Sequence, residues 1–236
     1  MSAPKFLIVA PTGPEYAAVH SALRTIPDRE WLIWQRCGAG MRQASAFCET
    51  LDAHSLNCFV LVGWAGGLSS ELQPGDIVLG ERALTAGETP VVCTIPKGIQ
   101  EKLEQAGIGK ARTGDMLTTA RVLATPEAKL AVQETAALAV EMEAYPLAAW
   151  AHTHNLPFIH ARVILDAVHE SLPELGDSID ELGRPRILPI LALLLRKPAL
   201  ISQVWFLALR IRRLNSRLAA LAGVLAEVLA TSDGPF

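Results

Sequence analysis

Three stretches of this chain combine residue types and spacings that could do chemistry on a small polar ligand. The first, Val62-Gly63-Trp64-Ala65-Gly66-Gly67-Leu68, leaves an apolar run and is followed by Gly75-Asp76-Ile77-Val78. Glycines at a strand exit let backbone approach a ligand closely, although a tight turn uses the same residues. The second, Ala139-Val140-Glu141-Met142-Glu143-Ala144, sets two acids where a strand leads into a helix. Acids there commonly complement the helix dipole. The chemical reading is that one carboxylate, an acceptor-only group, takes both hydrogen bonds of a sugar's vicinal diol. The third, Arg162-Val163-Ile164-Leu165-Asp166-Ala167, ends a hydrophobic strand on an acid. Asp166 could cap a following helix or pair with Arg162.

The elements that must hold these residues alternate. Short apolar runs predict strands at 6–10, 31–37, 58–62, 76–81, 90–94, 111–117, 139–142 and 157–165. Helical patterns fall at 14–25, 41–51, 99–106, 126–135 and 144–154, the first marked by Pro14 and Glu15 at its start. Strands alternating with helices predict an α/β architecture. At 236 residues the chain fits one domain, 1–236, in which 172–236 forms a C-terminal helical extension.

Composition narrows the class. Half the residues are apolar and 19% are charged, as in a globular fold, and the net charge of -3 gives no reason to expect nucleic acid. Cys37, Cys48, Cys58 and Cys93 form no C-x-x-C pair, so neither a metal site nor a disulfide framework is expected, and a reducing, cytoplasmic setting fits. The six histidines show no ligand spacing, and Ser69-Ser70 lies in no nucleophile elbow.

Taken together, the three stretches resemble the nucleoside phosphorylase superfamily, which holds purine nucleoside phosphorylases, uridine phosphorylase and the bacterial nucleosidases. Gly63–Leu68 with Gly75-Asp76-Ile77-Val78 is similar to its G-S-A-G-G-L…G-D-I-V element, and Val140-Glu141-Met142-Glu143-Ala144 to its V-E-M-E-A signature. Pro157-Phe158 through Arg162 to Asp166 is similar to its P-F…R-x-x-S-D strand, and Gly38-Ala39-Gly40 to the G-x-G before its second helix. The resemblance implies a three-layer α/β sandwich, a mixed central sheet flanked by helices, and cleavage of a purine N-glycosidic bond. It implies that Glu143 holds the ribose 2′ and 3′ hydroxyls, that Met142 packs under the sugar, and that Asp166 serves N7 of the base. Arg162 would orient the site and tune Asp166, Glu15 would activate water, and Glu141, Gly66, Gly67 and Trp64 would line the substrate. No cofactor or metal is implied, and a homo-oligomer is.

Two departures bear on the reaction. Trp64 stands where the family pattern has the serine that helps to hold phosphate, and the stretches 61–64 and 12–15 contain no basic residue. A phosphate dianion without such partners is poorly bound, which favours hydrolysis over phosphorolysis with phosphate as co-substrate. Backbone amides of Gly66 and Gly67, or Arg42, remain as alternative anion partners. Leu165 replaces the serine before the final acid and predicts an altered base pocket; both departures also leave room for a catalytically inactive nucleoside- or lipid-binding protein.

The last third changes character. No Asp or Glu lies between Leu182 and Ala226, an interval with eight of the 21 basic residues, leaving 13 against 24 acids elsewhere. Helices are expected at 187–195, 198–214 and 215–229. Leu200, Val204, Leu207, Ile211, Leu214, Leu218 and Leu225 form one apolar stripe, with Ile201, Trp205 and Phe206 outside it. Such a segment suits an anionic membrane, a lipid-tailed substrate, or a dimer or domain interface. The pattern resembles the hopanoid-associated members of the superfamily, which implies an adenosine whose 5′ carbon bears a hopane; Glu141 departs from the Asp expected in that subgroup.

Overall fold

The computed structural model describes residues 5–173, 196–198 and 200–231. Its spine is β3 (Leu56–Gly67), flanked in parallel by β1 (Lys5–Ala10), which carries β2 (Leu32–Arg36) at the sheet edge. On its other side β3 pairs in parallel with β8 (Phe158–Asp166) and, at Gly66 and Gly67, antiparallel with β7 (Ala139–Glu141). Next, β4 (Ile77–Leu84) joins β8 antiparallel and β6 (Ala111–Thr118) parallel, and β6 joins β7 parallel. Strands β3, β8, β4, β6 and β7 therefore close into a ring from which β1 and β2 extend. The short β5 (Val91–Val92) adds antiparallel to β4.

Alternating side chains give the sheet two apolar faces, as a strand period of about two residues requires. On one face Ile8, Val60, Val62 and Ile159 pack with α1 (Gly13–Leu23), α3 (Ile99–Gln105) and α6 (Leu200–Thr231). On the other, Leu7, Val9, Phe59 and Leu61 pack with α2 (Met41–Cys48) and α5 (Ala144–Thr153). The result is a three-layer α/β sandwich with a mixed sheet, to which α4 (Pro126–Leu130) adds a short helix.

Several expected boundaries move. Strand β3 does not stop at Val62 but runs to Gly67, because β8 and then β7 continue to pair with it. Helix α4 ends at Leu130; a separate 3-10 turn, Gln133–Thr135, follows and is closed by Ala136 at φ 55. The two helices expected at 198–214 and 215–229 are one helix of 32 residues. Asn215 does not break it, because Leu214 and Leu218 on either side are held in the core with α1. The helix expected at 187–195 lies outside the described residues.

Candidate active site

Four of the predicted residues meet where β1, β3, β7 and β8 end. Glu15 sits in the first turn of α1, buried, and its Oε2 accepts from the backbone N–H of Thr12 at 2.9 Å and from the Thr12 hydroxyl. That is one half of a capping box. Its other oxygen does something local capping does not need: Oε1 accepts from the backbone N–H of Trp64 at 2.7 Å, across on β3. A Cβ on Gly63 would lie 2.4 Å from Nη1 of Arg162 and 2.5 Å from Oε1 of Glu15, so only glycine leaves these two groups their places.

Arg162 is wholly buried and serves several acids at once. Its Nη2 donates to Oε2 of Glu141 and, at 3.3 Å, to Oε2 of Glu143, while Nε donates to His160 Nε2 at 3.0 Å. Glu141 is committed to the protein: Oε1 accepts from the Thr118 hydroxyl, and Oε2 from the backbone N–H groups of Glu143 at 2.9 Å and Ala144 at 2.8 Å as well as from Arg162. Through these contacts Glu141 anchors the start of α5 on β6. Glu143 keeps more freedom, with Gly40 N–H on Oε1 at 2.8 Å and the longer Arg162 contact on Oε2.

The cluster holds three carboxylates, Glu15, Glu141 and Glu143, against one guanidinium. Burial pushes the Glu143 carboxyl up from 4.5 to about 7; Arg162 opposes the rise, and Glu141 and Glu15 add to it. Burial would lower Arg162, but the surrounding carboxylates outweigh it and hold the guanidinium charged. Burial, with Arg162 beside it, keeps His160 well below the ordinary histidine range and hence neutral.

Asp166 lies at the other end of the site, also buried, at the tip of β8 opposite Gly66 of β3. Its partner is not Arg162. Four residues of strand span about 13 Å, and Arg162 spends its donors on Glu141, Glu143, His160 and the Trp64 carbonyl. Instead Lys129, from α4, donates to Oδ2 of Asp166. Burial raises the Asp166 carboxyl, the Lys129 hydrogen bond and charge lower it, and the net shift is upward. Sequence reasoning missed Lys129 because a lysine in a short polar helix ordinarily reads as solvated.

The remaining predicted residues fall around this frame. The Met142 methyl lies 3.8 Å from the Cβ position of Gly40, beside Glu143. Both carboxyl oxygens of Asp166 lie 3.6 Å from the Cβ position of Gly66, and the backbone of Gly67 pairs with β7. The Trp64 and Leu165 side chains turn into the core shared with α1 and α6, so Trp64 meets the site through its backbone. Arg42 is exposed on α2. Arg36, not foreseen, has its Nη1 3.6 Å from the Cβ position of Gly13, at the start of α1. No cluster able to hold a metal ion occurs among the described residues.

Comparison with known proteins agrees with this frame. The family model described as the phosphorylase superfamily matches residues 10–184. A search of curated proteins returns no match. Among solved structures, the fold superposes on 5′-methylthioadenosine/S-adenosylhomocysteine nucleosidase of Helicobacter pylori, solved with 5′-methylthioadenosine in its active site, with a TM-score of 0.69 at 13% identity over 98% of this chain and 100% of that one. Futalosine hydrolase of Helicobacter pylori gives 0.67 at 13% identity, covering 97% and 98%. S-adenosylhomocysteine nucleosidase from Streptococcus pyogenes, in complex with 5-methylthiotubericidin, gives 0.64 at 19% identity, covering 94% and 98%.

Proposed function

The chain belongs to the phosphorylase superfamily, and from that premise we propose that it hydrolyses the N-glycosidic bond of a purine nucleoside of the adenosine type. The observation that carries the reading is the arrangement of its acids: Glu15 and Glu143 around Arg162 at one end, and Asp166, raised by burial, farther along the same strand at the other. Pairs of acids whose environments differ divide acid and base roles between them.

In this reading Glu143 accepts the 2′ and 3′ hydroxyls and Met142 packs under the ribose. Gly66, lacking a side chain, lets the base reach Asp166. Asp166 gives its proton to N7 while the C1′–N9 bond breaks and its electron pair passes to the purine. The ribosyl group becomes oxocarbenium-like and is stabilised by the nearby carboxylates. Glu15 takes a proton from water as the water oxygen bonds C1′. Free purine and a 1′-hydroxyl sugar result. Arg162 touches no reacting atom and fixes Glu143.

Phosphorolysis is the second reading, and one observation favours it. The Arg36 guanidinium borders the turn that carries Glu15, supplying a cation that neither neighbouring stretch contains. Against it, the Trp64 indole is turned into the core where a phosphate-holding hydroxyl is expected. Adenine release from 5′-methylthioadenosine and longer 5′-alkylthioadenosines, with and without phosphate, separates the readings. Release without phosphate is expected; strict phosphate dependence establishes the second, and no release under either condition removes both.

The 5′ substituent is proposed to be apolar, as in a hopane-bearing adenosine. Ile201, Trp205 and Phe206 on α6 are 54%, 64% and 69% exposed. Phe206 lies one turn, about 6 Å, before Arg210, whose Nη1 donates to the Leu165 carbonyl beside Asp166. Exposed Arg196, Lys197, Arg212 and Arg213 lie on and just before the same helix, a combination that fits an anionic lipid surface. No helix among the described residues is long and apolar enough to cross a membrane. Salt-sensitive sedimentation with anionic, but not neutral, liposomes is expected, and its absence removes peripheral binding.

A further inference from the structure

We propose that Lys129 is a positioning residue for the acid that serves the base: by claiming Oδ2 of Asp166 it makes Oδ1 the oxygen that carries and delivers the proton. The inference rests on the proposed role of Asp166 and adds a residue to it.

A lysine this deep needs a reason. Lys129 is 1% exposed, and lysines are seldom fully buried unless paired. Its ammonium group has three N–H bonds, and three acceptors surround it: Oδ2 of Asp166, the Ala167 carbonyl at 2.5 Å and the Glu170 carbonyl at 3.2 Å. A charged ammonium donates to all three.

The two carbonyls belong to the turn that follows β8, and this turn is also fixed from its other side. Glu170 Oε2 accepts from the Ala167 N–H at 2.9 Å, and its carboxylate takes both ends of the Arg210 guanidinium at 2.8 Å. Lys129 from α4 and Arg210 from α6 thus hold the Asp166–Glu170 turn between them. Oδ1 of Asp166 accepts no hydrogen bond among the described residues and lies, like Oδ2, 3.6 Å from the empty Cβ position of Gly66. With Oδ2 occupied by a cation, a proton on the carboxyl belongs on Oδ1.

The charge has a second consequence. A cation at Oδ2 stabilises the carboxylate left after transfer, which strengthens the acid, while burial weakens it. The other charged groups facing Asp166 are Glu170 of its own turn, which raises it, and Arg210 of α6, which lowers it; His169 acts on Glu170. Burial and the Lys129 cation thus pull the acid in opposite directions, with burial the larger effect.

The test is the pH dependence of purine release from 5′-methylthioadenosine by Lys129→Gln, Lys129→Met and Lys129→Arg. Activity falls on the alkaline side as Asp166 loses its proton. Removing the cation raises the Asp166 pKa, so in the Gln and Met variants that limb should move up by about one to three pH units. Their kcat should drop by about tenfold to a hundredfold, with KM changed by less than about threefold. Lys129→Arg should keep the limb where it is. Lys129→Gln retains hydrogen-bond donors and is the deciding variant if Lys129→Met fails to fold. A lower kcat with an unmoved limb in folded Lys129→Gln overturns the proposal and leaves a packing role. If Asp166→Asn retains full activity, the reading of Asp166 itself fails, an outcome distinct from the first.

Discussion

Replacing Glu143 with glutamine should make the protein more stable at pH 8 while nearly abolishing its activity. The Glu143 carboxyl stands at about 7 in the fold against an ordinary 4.5, with burial the main cause. A group raised in this way contributes stability that is fully present below about 4.5 and lost as pH rises through about 7. Each unit corresponds to about 1.4 kcal/mol, so the ionised form costs the fold roughly 3 kcal/mol at pH 8. Glutamine carries no charge to desolvate, and its amide oxygen can still accept from Gly40. Weaker hydrogen bonds to Gly40 and Arg162 return about 1 kcal/mol. The net gain of about 2 kcal/mol should raise Tm by about 4–8 °C for a chain of this size.

The assay is thermal unfolding of both proteins at pH 4.5, 6, 7 and 8, paired with purine release. The advantage of Glu143→Gln should be absent at pH 4.5, grow through pH 6 and level off above about 7. Activity should fall about a hundredfold or more in kcat/KM, since a charged acceptor is lost to both ribose hydroxyls. A variant less stable than the parent at pH 8, or a difference that does not change with pH, refutes the claim that Glu143 is a strained, buried acid. A fully active variant refutes its role with the sugar.

Three further outcomes follow from the geometry. Gly63→Ala forces a Cβ between Glu15 and Arg162, where 2.4–2.5 Å is available, and should cut kcat by about a hundredfold through displacement of those groups; steady-state kinetics beside an unchanged circular dichroism spectrum tests this, and unaltered kinetics would falsify it. Arg162→Met removes the cation that, among the described residues, pairs with Glu141 and Glu143, and should destabilise the fold by about 3–5 kcal/mol in urea titrations at pH 8, with a smaller loss at acid pH, where the freed carboxyls protonate. Trp205→Ser with Phe206→Ser, at exposed positions, should leave Tm within a few degrees, by about 1 kcal/mol or less. The same double change should erase any preference for long 5′-alkylthio groups, and a preference that survives it removes the tail from α6.

The fold was legible wherever one local rule dominated. Continuous apolar runs such as Phe6–Ala10 read directly as strands, and Pro14 with Glu15 marked the start of α1. The reading faltered where long-range pairing overruled local signals. Gly63, Gly66 and Gly67 look like a turn, but β8 and β7 draw them into β3. Asn215 looks like a helix end, but neighbouring leucines bury α6 straight through it. The site shows the same division. Glu15, Glu143 and Arg162 could be found from strand ends and resemblance, yet the partner of Asp166 could not. Arg162 was the nearer cation in sequence, whereas Lys129 reaches Asp166 from 37 positions away through the path of α4.

The two acids are built on opposite electrostatic terms, and this difference argues for two roles. Around Glu143, the Arg162 guanidinium faces three carboxylates, so acids outnumber the cation paired with them. Such a pocket resists a phosphate dianion and welcomes positive charge, as develops on a ribosyl group when the base departs. Around Asp166, Lys129 pairs with Asp166 and Arg210 with Glu170, and each pair is balanced. A balanced pair can lose a proton to the base without leaving a bare charge in the core. The charge at Glu143 weakens the fold as pH rises through about 7, and a sugar cation forming beside it would offset that cost. The excess charge also argues, independently of Trp64, for water rather than phosphate as the group that completes the reaction.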